Sequence, residues 1–173
     1  MVLTGCDRLN ILPGAYDVVQ CADCGLMRTN PRPTPETMGF YYPDNYGPYK
    51  GTRVNPNLKD DGSLSFWRRW VKGIFRFNTP RLPGLQPSRV LEIGCASGAF
   101  LNKMSLKGWQ VEGLEFSKTA AQSARSLGFS VHTGSLETAP DPQYLFDLVV
   151  GWMVFEHLHD PVSALQKLHR WVE

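Results

Sequence analysis

The chain has 173 residues, of which 42% are hydrophobic and 20% charged, and its formal net charge is +2. This composition is typical of a globular domain with a buried core, and so small a charge gives no reason to expect a nucleic-acid partner. No apolar run reaches the length of about 18 residues that a transmembrane helix needs. The N-terminus also lacks the basic and apolar blocks of a secretory signal, so we expect a cytoplasmic protein.

Three of the four cysteines lie in residues 1–35. Cys21 and Cys24 form a CxxC motif, and Cys6 precedes them. In a reducing compartment this motif indicates metal or redox chemistry rather than a disulfide. A redox role is disfavoured because no βαβ pattern surrounds the motif. A structural zinc site takes four ligands, so zinc on Cys6, Cys21 and Cys24 leaves one ligand unidentified, and a cysteine ribbon without metal is the alternative.

Residues 36–64 are rich in tyrosine, glycine and proline, and we interpret them as a cap or linker. Their tyrosines are Tyr41, Tyr42, Tyr46 and Tyr49. A packing loop and a cap over a ligand site both fit this composition. Between Trp67 and Phe77, apolar side chains recur at helical spacing opposite basic ones. Such a helix packs on the protein's own sheet or lies on a membrane surface.

From Ser88 onwards, apolar strand-like runs alternate with helical ones. The predicted strands cover residues 89–93, 110–115, 129–132 and 146–152. Strands that alternate with helices indicate βαβ units, a parallel sheet and right-handed crossovers. The predicted fold class is therefore α/β, with a Rossmann-like domain over residues 65–173.

A glycine-rich turn, Gly94 to Gly98, follows the first of these strands. Strand, turn and helix in this order place backbone amides at the carboxyl end of the strand, where open α/β sheets bind ligands. Glu115 ends the second strand, and a carboxylate there can accept hydrogen bonds from both hydroxyls of a ribose. The two features together predict a ligand that contains adenosine.

The spacing of the turn distinguishes two such ligands. A dinucleotide site uses GxGxxG, whereas this turn has GxxxG spacing with Ala96 at the middle position. Glu92, just before the turn, would repel a pyrophosphate but suits a sulfonium ligand that carries an ammonium group. The turn therefore favours S-adenosylmethionine, and an NAD-dependent oxidoreductase is the weaker alternative.

The segment from Glu92 to Gly98 resembles the E/DxGxGxG signature of class I S-adenosylmethionine-dependent methyltransferases, with Ala96 in place of the middle glycine. Glu115 is similar to the ribose-binding acid of that family, and residues 146–150 resemble its fourth-strand motif. The run Val154–Pro161 resembles the EHxxDP run of ubiquinone-type and related small-molecule methyltransferases. The resemblance implies methyl transfer to a small-molecule, sugar or lipid acceptor. A module that binds the cofactor without catalysis is the alternative.

The same resemblance implies a set of site residues. Ser135 and Leu136 lie in the loop that contacts the adenine. Separately from the resemblance, His157 follows the fourth predicted strand at its carboxyl end, where it is a general base, a substrate contact or a structural histidine. The implied cofactor-binding residues are Glu92, Gly94, Cys95, Ala96, Gly98, Glu115, Phe116, Ser135, Leu136, Trp152 and Met153.

Residues 6–49 resemble the N-terminal zinc-binding segment of a group of bacterial methyltransferases. The shared features are the CxxCGL run from Cys21 to Leu26, the sequence from Asn30 to Thr34, and the pair Tyr41 and Tyr42. One CxxC of the family pattern is absent. The resemblance implies a zinc-ribbon-like segment over residues 1–35.

The family sheet has seven strands in the order 3-2-1-4-5-7-6, and the pattern in this chain accounts for strands one to four. We therefore expect a C-terminally truncated domain whose fourth strand is an exposed edge. Exposed edges pair readily with other chains, so self-association through this strand is a further expectation.

Overall fold

The computed structural model describes residues 1–7, 13–42 and 82–173. The chain divides into two compact units, Met1–Tyr46 and Gly47–Glu173. No helix in the described ranges is long and apolar enough to cross a membrane. Tyr46, Tyr49 and the predicted helix between Trp67 and Phe77 lie outside the described residues.

A three-stranded antiparallel sheet forms the N-terminal unit. Its strands are β1 (Leu3–Cys6), β2 (Ala15–Gln20) and β3 (Met27–Asn30). β2 lies in the centre and pairs with both neighbours. The turn between β2 and β3 is closed by the amide of Cys21, which donates to the carbonyl of Leu26 at 2.9 Å. A short 3-10 helix, Met38–Tyr41, follows.

A four-stranded parallel sheet forms the centre of the second unit. Its strands are β4 (Arg89–Ile93), β5 (Gln110–Glu115), β6 (Ser130–Thr133) and β7 (Leu148–Gly151). The strand order is β6-β5-β4-β7, and every pair is parallel. The α/β class and the parallel sheet predicted from the sequence are thereby confirmed.

The strand order creates a switch point beside β4. From β4 the chain adds β5 and β6 on one side and then returns to add β7 on the other side. Connections that leave in opposite directions open a crevice at the carboxyl ends of the strands, and open α/β sheets bind ligands there. The carboxyl ends of β4 and β7 therefore define the place to look for a site.

In the described part of this unit, α1 (Ala99–Ser105) connects β4 to β5, α2 (Lys118–Ser126) connects β5 to β6, and α3 (Pro161–Trp171) follows β7. The hydroxyl of Ser117 accepts the amide of Ala120 at 3.2 Å, so Ser117 caps α2 as its sequence predicts. A 3-10 turn, Phe155–His157, lies between β7 and α3.

The helices cover both faces of the sheet because successive apolar side chains of a strand point to opposite faces. On one face α3 packs against β4 and β5, in a cluster that includes Leu91, Ile93, Leu114, Phe146, Leu168 and Trp171. On the other face α1 and α2 meet β6 and the turn after β4, in a cluster of Cys95, Leu101, Ala121, Ala124 and Val131. The sheet is therefore buried from both sides.

Gly113, in the middle of β5, is a packing requirement of this second cluster. A Cβ atom at position 113 would lie 2.5 Å from Cys95 Sγ and 3.1 Å from Leu101 Cδ1. We expect Gly113→Ala to lower the free energy of unfolding by about 1–3 kcal/mol because it overpacks the core. Urea denaturation measures the effect, with Gly5→Ala as the control, since the nearest atom there is 3.9 Å away.

The overpacking account also predicts coupling between the two positions. In a Cys95→Ala background the 2.5 Å contact is absent, so Gly113→Ala should cost less than in the parent chain. Equal costs in the two backgrounds would contradict the account.

Candidate functional site

The turn between β4 and α1 passes over the end of β5. The amide of Gly94 donates to the carbonyl of Leu114 at 2.7 Å. Gly94 and Gly98 have φ values of +72° and +86°, which residues with a side chain rarely adopt. A Cβ atom at Gly98 would lie 3.1 Å from the Cβ of Ala124, so this glycine also permits close packing of α1 and α2. The two glycines therefore fulfil the structural roles that the motif predicts.

Ala96, at the middle of the turn, also has a positive φ, of 48°. A left-handed conformation costs a non-glycine residue about 1–2 kcal/mol. The conformation is held by a hydrogen bond, because the amide of Ala96 donates to Glu115 Oε2 at 2.8 Å. Strained backbone of this kind occurs mostly at ligand sites.

Glu115 ends β5 and is buried, with 3% of its surface exposed. Its second oxygen, Oε1, accepts the amide of Ser117 at 2.8 Å. Burial raises the pKa of Glu115, and the amides of Ser117 and Ala96 oppose that rise. Because each carboxylate oxygen has two lone pairs, the fixed carboxylate still has acceptor capacity for a ligand.

Glu92 lies on β4, one residue before the strand ends, and only 4% of it is exposed. Its Oε2 atom is buried and has no hydrogen-bond partner among the described residues. Burial and the nearby charge of Glu115 raise the pKa of Glu92 to about 8. A buried carboxyl oxygen without a partner costs folding free energy, and such an atom indicates a site for an external donor.

The other predicted residues follow the carboxyl ends of the same strands. Phe116, Trp152 and Met153 are exposed by 44%, 37% and 77%, and they come directly after β5 and β7. Ser135 is partly buried in the turn after β6. Because parallel strands end at one edge of the sheet, their following loops share that edge.

Two of the predicted residues turn their side chains into the core. Cys95 and Leu136 are each 2% exposed and belong to the apolar clusters on opposite faces of the sheet. Burial raises the pKa of the Cys95 thiol, so the sulfur stays neutral. These two residues therefore have only their backbone atoms to offer a ligand.

The structure adds Ser117 to the site. Its hydroxyl caps α2, and its amide also fixes Glu115. The signal in the sequence is that Ser117 follows Glu115 by two residues. This short spacing places the first amides of α2 beside the carboxylate of Glu115. His157 is exposed on the 3-10 turn after β7, and its amide donates to the carbonyl of Val154 at 2.9 Å. The catalytic role of His157 stays a prediction.

Comparison with known proteins identifies the family of this domain. A family model described as a methyltransferase domain matches residues 66–173. The chain belongs to the methyltransferase domain family. This membership confirms the resemblance to class I S-adenosylmethionine-dependent methyltransferases and does not support the oxidoreductase alternative.

Individual relatives match part of this chain. A ubiquinone biosynthesis O-methyltransferase of Alkalilimnicola ehrlichii is 33% identical over 99 residues, which cover 53% of this chain and 40% of the relative. The protein of the same name from Vibrio cholerae is 30% identical over 98 residues, which cover 52% and 40%. The chain thus spans about 40% of the length of these relatives.

A solved structure of an S-adenosylmethionine-dependent methyltransferase from Mesorhizobium loti is also similar. It is 24% identical, with a TM-score of 0.49, over 53% of this chain and 45% of that chain.

The described residues of the N-terminal unit do not support the predicted metal site. Cys6 pairs with Ala15 at the start of β2, whereas Cys21 follows the last residue of that six-residue strand. At about 3.4 Å per residue the two cysteines lie roughly 20 Å apart. Zinc–sulfur bonds of about 2.3 Å bring thiolates within about 4 Å of one another. The described residues therefore do not support the prediction that Cys6 joins Cys21 and Cys24 at a metal.

The same conclusion follows from the side chains near these cysteines. The described ranges contain no group of three or more His, Cys, Asp or Glu residues that could hold a metal ion. Cys6, Cys21 and Cys24 are exposed free thiols. Hydrogen bonds from the backbone of Cys24 and then of Asp23 lower the pKa of Cys21.

The buried Glu92 makes a prediction for stability against pH. Its pKa is about 8 in the folded chain and 4.5 ordinarily, so between these values the folded chain holds a proton that the unfolded chain has lost. This contribution to stability is present below pH 4.5 and is lost as the pH rises through 8. We expect the Tm to fall by several degrees between pH 5 and pH 8.

Glu92→Gln should remove this part of the pH dependence because glutamine does not titrate. Differential scanning calorimetry of both chains across the window isolates the effect, since the other titrating groups are common to both. Parallel Tm profiles for the two chains would show that Glu92 ionises normally.

Proposed function

We propose that this chain binds S-adenosylmethionine and forms the cofactor-binding part of an enzyme that methylates a small molecule. The observation that carries the proposal is the position of Glu115. Its carboxylate is fixed by the amides of Ala96 and Ser117 beside the glycine turn at the switch point of the sheet. The membership of residues 66–173 in the methyltransferase domain family supports it.

The residues present fit this cofactor group by group. Glu115 offers two fixed acceptor oxygens to the hydroxyls of a ribose. The turn from Gly94 to Gly98 allows close approach of a ligand to the backbone. The orphaned Oε2 of Glu92 matches the ammonium of the amino-acid tail, since a buried carboxylate is stabilised by a hydrogen-bonding cation.

A pyrophosphate ligand fits the same residues poorly. Two buried carboxyl groups, Glu92 and Glu115, lie at the turn, and negative phosphates would be repelled by whichever of them is ionised. The Cβ of Ala96 also stands where a dinucleotide motif has its second glycine. These features favour a sulfonium nucleoside over a dinucleotide.

When bound, S-adenosylmethionine supplies an electrophilic methyl group on its sulfonium. The chain contributes position and orientation, which convert a bimolecular attack into an effectively intramolecular one. Glu115 would hold the ribose, and the glycine turn would contact the amino-acid tail. We propose that His157, after β7, removes the proton of the acceptor.

Exposed apolar side chains at this edge of the sheet support a small organic acceptor. Phe116, Trp152 and Met153 follow β5 and β7, and ligand sites are lined mostly by apolar and aromatic side chains. The relatives named as ubiquinone biosynthesis O-methyltransferases support methylation of a hydroxyl oxygen.

Replacement of Glu115 tests the cofactor assignment. Glu115→Gln keeps the shape but places an NH2 group against a backbone amide and removes the charge. We expect it to weaken S-adenosylhomocysteine binding at least about tenfold, the loss of one charged hydrogen bond. Isothermal titration calorimetry measures the affinity.

Glu112→Gln is the matched control on the same strand. Glu112 bonds Tyr144 rather than the glycine turn, so its replacement should leave the affinity unchanged. Circular dichroism confirms that both variants are folded. Undiminished affinity in folded Glu115→Gln, or no binding by the parent chain, would refute the proposed site.

A further inference from the structure

Two carboxyl groups are buried at the end of the sheet, and their environments differ. Glu115 accepts two backbone amides, at 2.8 Å each. Glu92 has one oxygen with no hydrogen-bond partner in the described part of the chain. Strands β4 and β5 pair side by side, with Glu92 opposite Gly113. Buried neighbouring carboxyl groups resist double ionisation, and the one with fewer donors keeps its proton.

Among the described residues, the elements packed around Glu92 offer it no compensating charge. From β5 it faces Glu115, and from the turn after β4 it faces the neutral thiol of Cys95. β7 contributes the apolar sequence Leu148–Gly151. The guanidinium of Arg125 is bonded to the carbonyl of Val131, on the far side of β5.

We propose that Glu92 is a proton-linked counter-ion, which carries a proton in the ligand-free protein and releases it when the cofactor's ammonium group binds. The inference rests on the proposed function and deepens it by adding a regulation by pH. The O–H bond of the Glu92 carboxyl breaks, the proton passes to the buffer, and the carboxylate pairs with the ammonium.

The direction of the effect follows from the two states of Glu92. In the ligand-free chain its pKa is about 8, so the carboxyl is mostly neutral at pH 7. A cation within hydrogen-bonding distance favours the charged form and lowers the pKa. Binding therefore releases a proton at pH 7, and the affinity rises with pH until Glu92 ionises without ligand.

Calorimetry with S-adenosylhomocysteine at pH 7 measures this proton directly. The observed enthalpy is compared in phosphate and in Tris, whose ionisation enthalpies differ, and the difference gives the protons exchanged per ligand. We expect the parent chain to release close to one proton more than Glu92→Gln. Any titration of the ligand's own amino group occurs with both chains and cancels in the comparison.

Glu173→Gln is the control for a change of net charge, because Glu173 is exposed and lies at the end of the chain. It should release the same number of protons as the parent. Equal proton release by the parent and Glu92→Gln, with binding intact, would overturn the inference and leave the proposed function standing. Failure of the parent chain to bind S-adenosylhomocysteine would refute the proposed function and the inference with it.

The affinity of the parent chain across pH gives a second readout that needs no variant. Between pH 6 and pH 7, below the titration of an α-amino group at about 7.7–8.0, the dissociation constant should fall nearly tenfold. A dissociation constant that stays the same over this range would also overturn the inference, even if Glu92→Gln does not fold.

Discussion

This site depends on the hydrogen bonds that the carboxylate of Glu115 accepts. One oxygen holds the amide of Ala96 in the turn after β4, and the other holds the amide of Ser117 at the start of α2. Its backbone carbonyl accepts the amide of Gly134, in the turn after β6, at 2.9 Å. A single residue therefore connects the loops that follow three neighbouring strands and fixes them before any ligand arrives.

The preorganised site lowers the stability of the folded chain. Two carboxyl groups are withdrawn from water, and the backbone at Ala96 is held in a left-handed conformation. Both features destabilise a folded chain on their own. They are consistent with a site whose ligand supplies the missing partners, because such a site binds without first reordering its loops.

The sequence predicted the parts of the structure that local pattern controls. Alternating apolar runs located the four parallel strands, and the strand-turn-helix order located the glycine turn. The burial of the Leu136 side chain could not be predicted, because the spacing of apolar residues does not reveal which side of a loop faces the core. The expectation that Cys6 joins Cys21 and Cys24 at a metal is not supported for a different reason. The distance of Cys6 from Cys21 depends on the pairing register of β1 and β2, which the spacing of cysteines along the chain does not determine.

The central claim is that a nucleoside ligand binds at the end of β4 and β5, against the carboxylate of Glu115. A titration of 15N-labelled protein with S-adenosylhomocysteine, followed by amide chemical shifts, locates the ligand most directly. The account predicts that the largest shifts occur at Gly94–Gly98 and at Glu115–Ser117, while the amides of β2 stay in place. Large shifts confined to other residues, with these two segments unaffected, would contradict it.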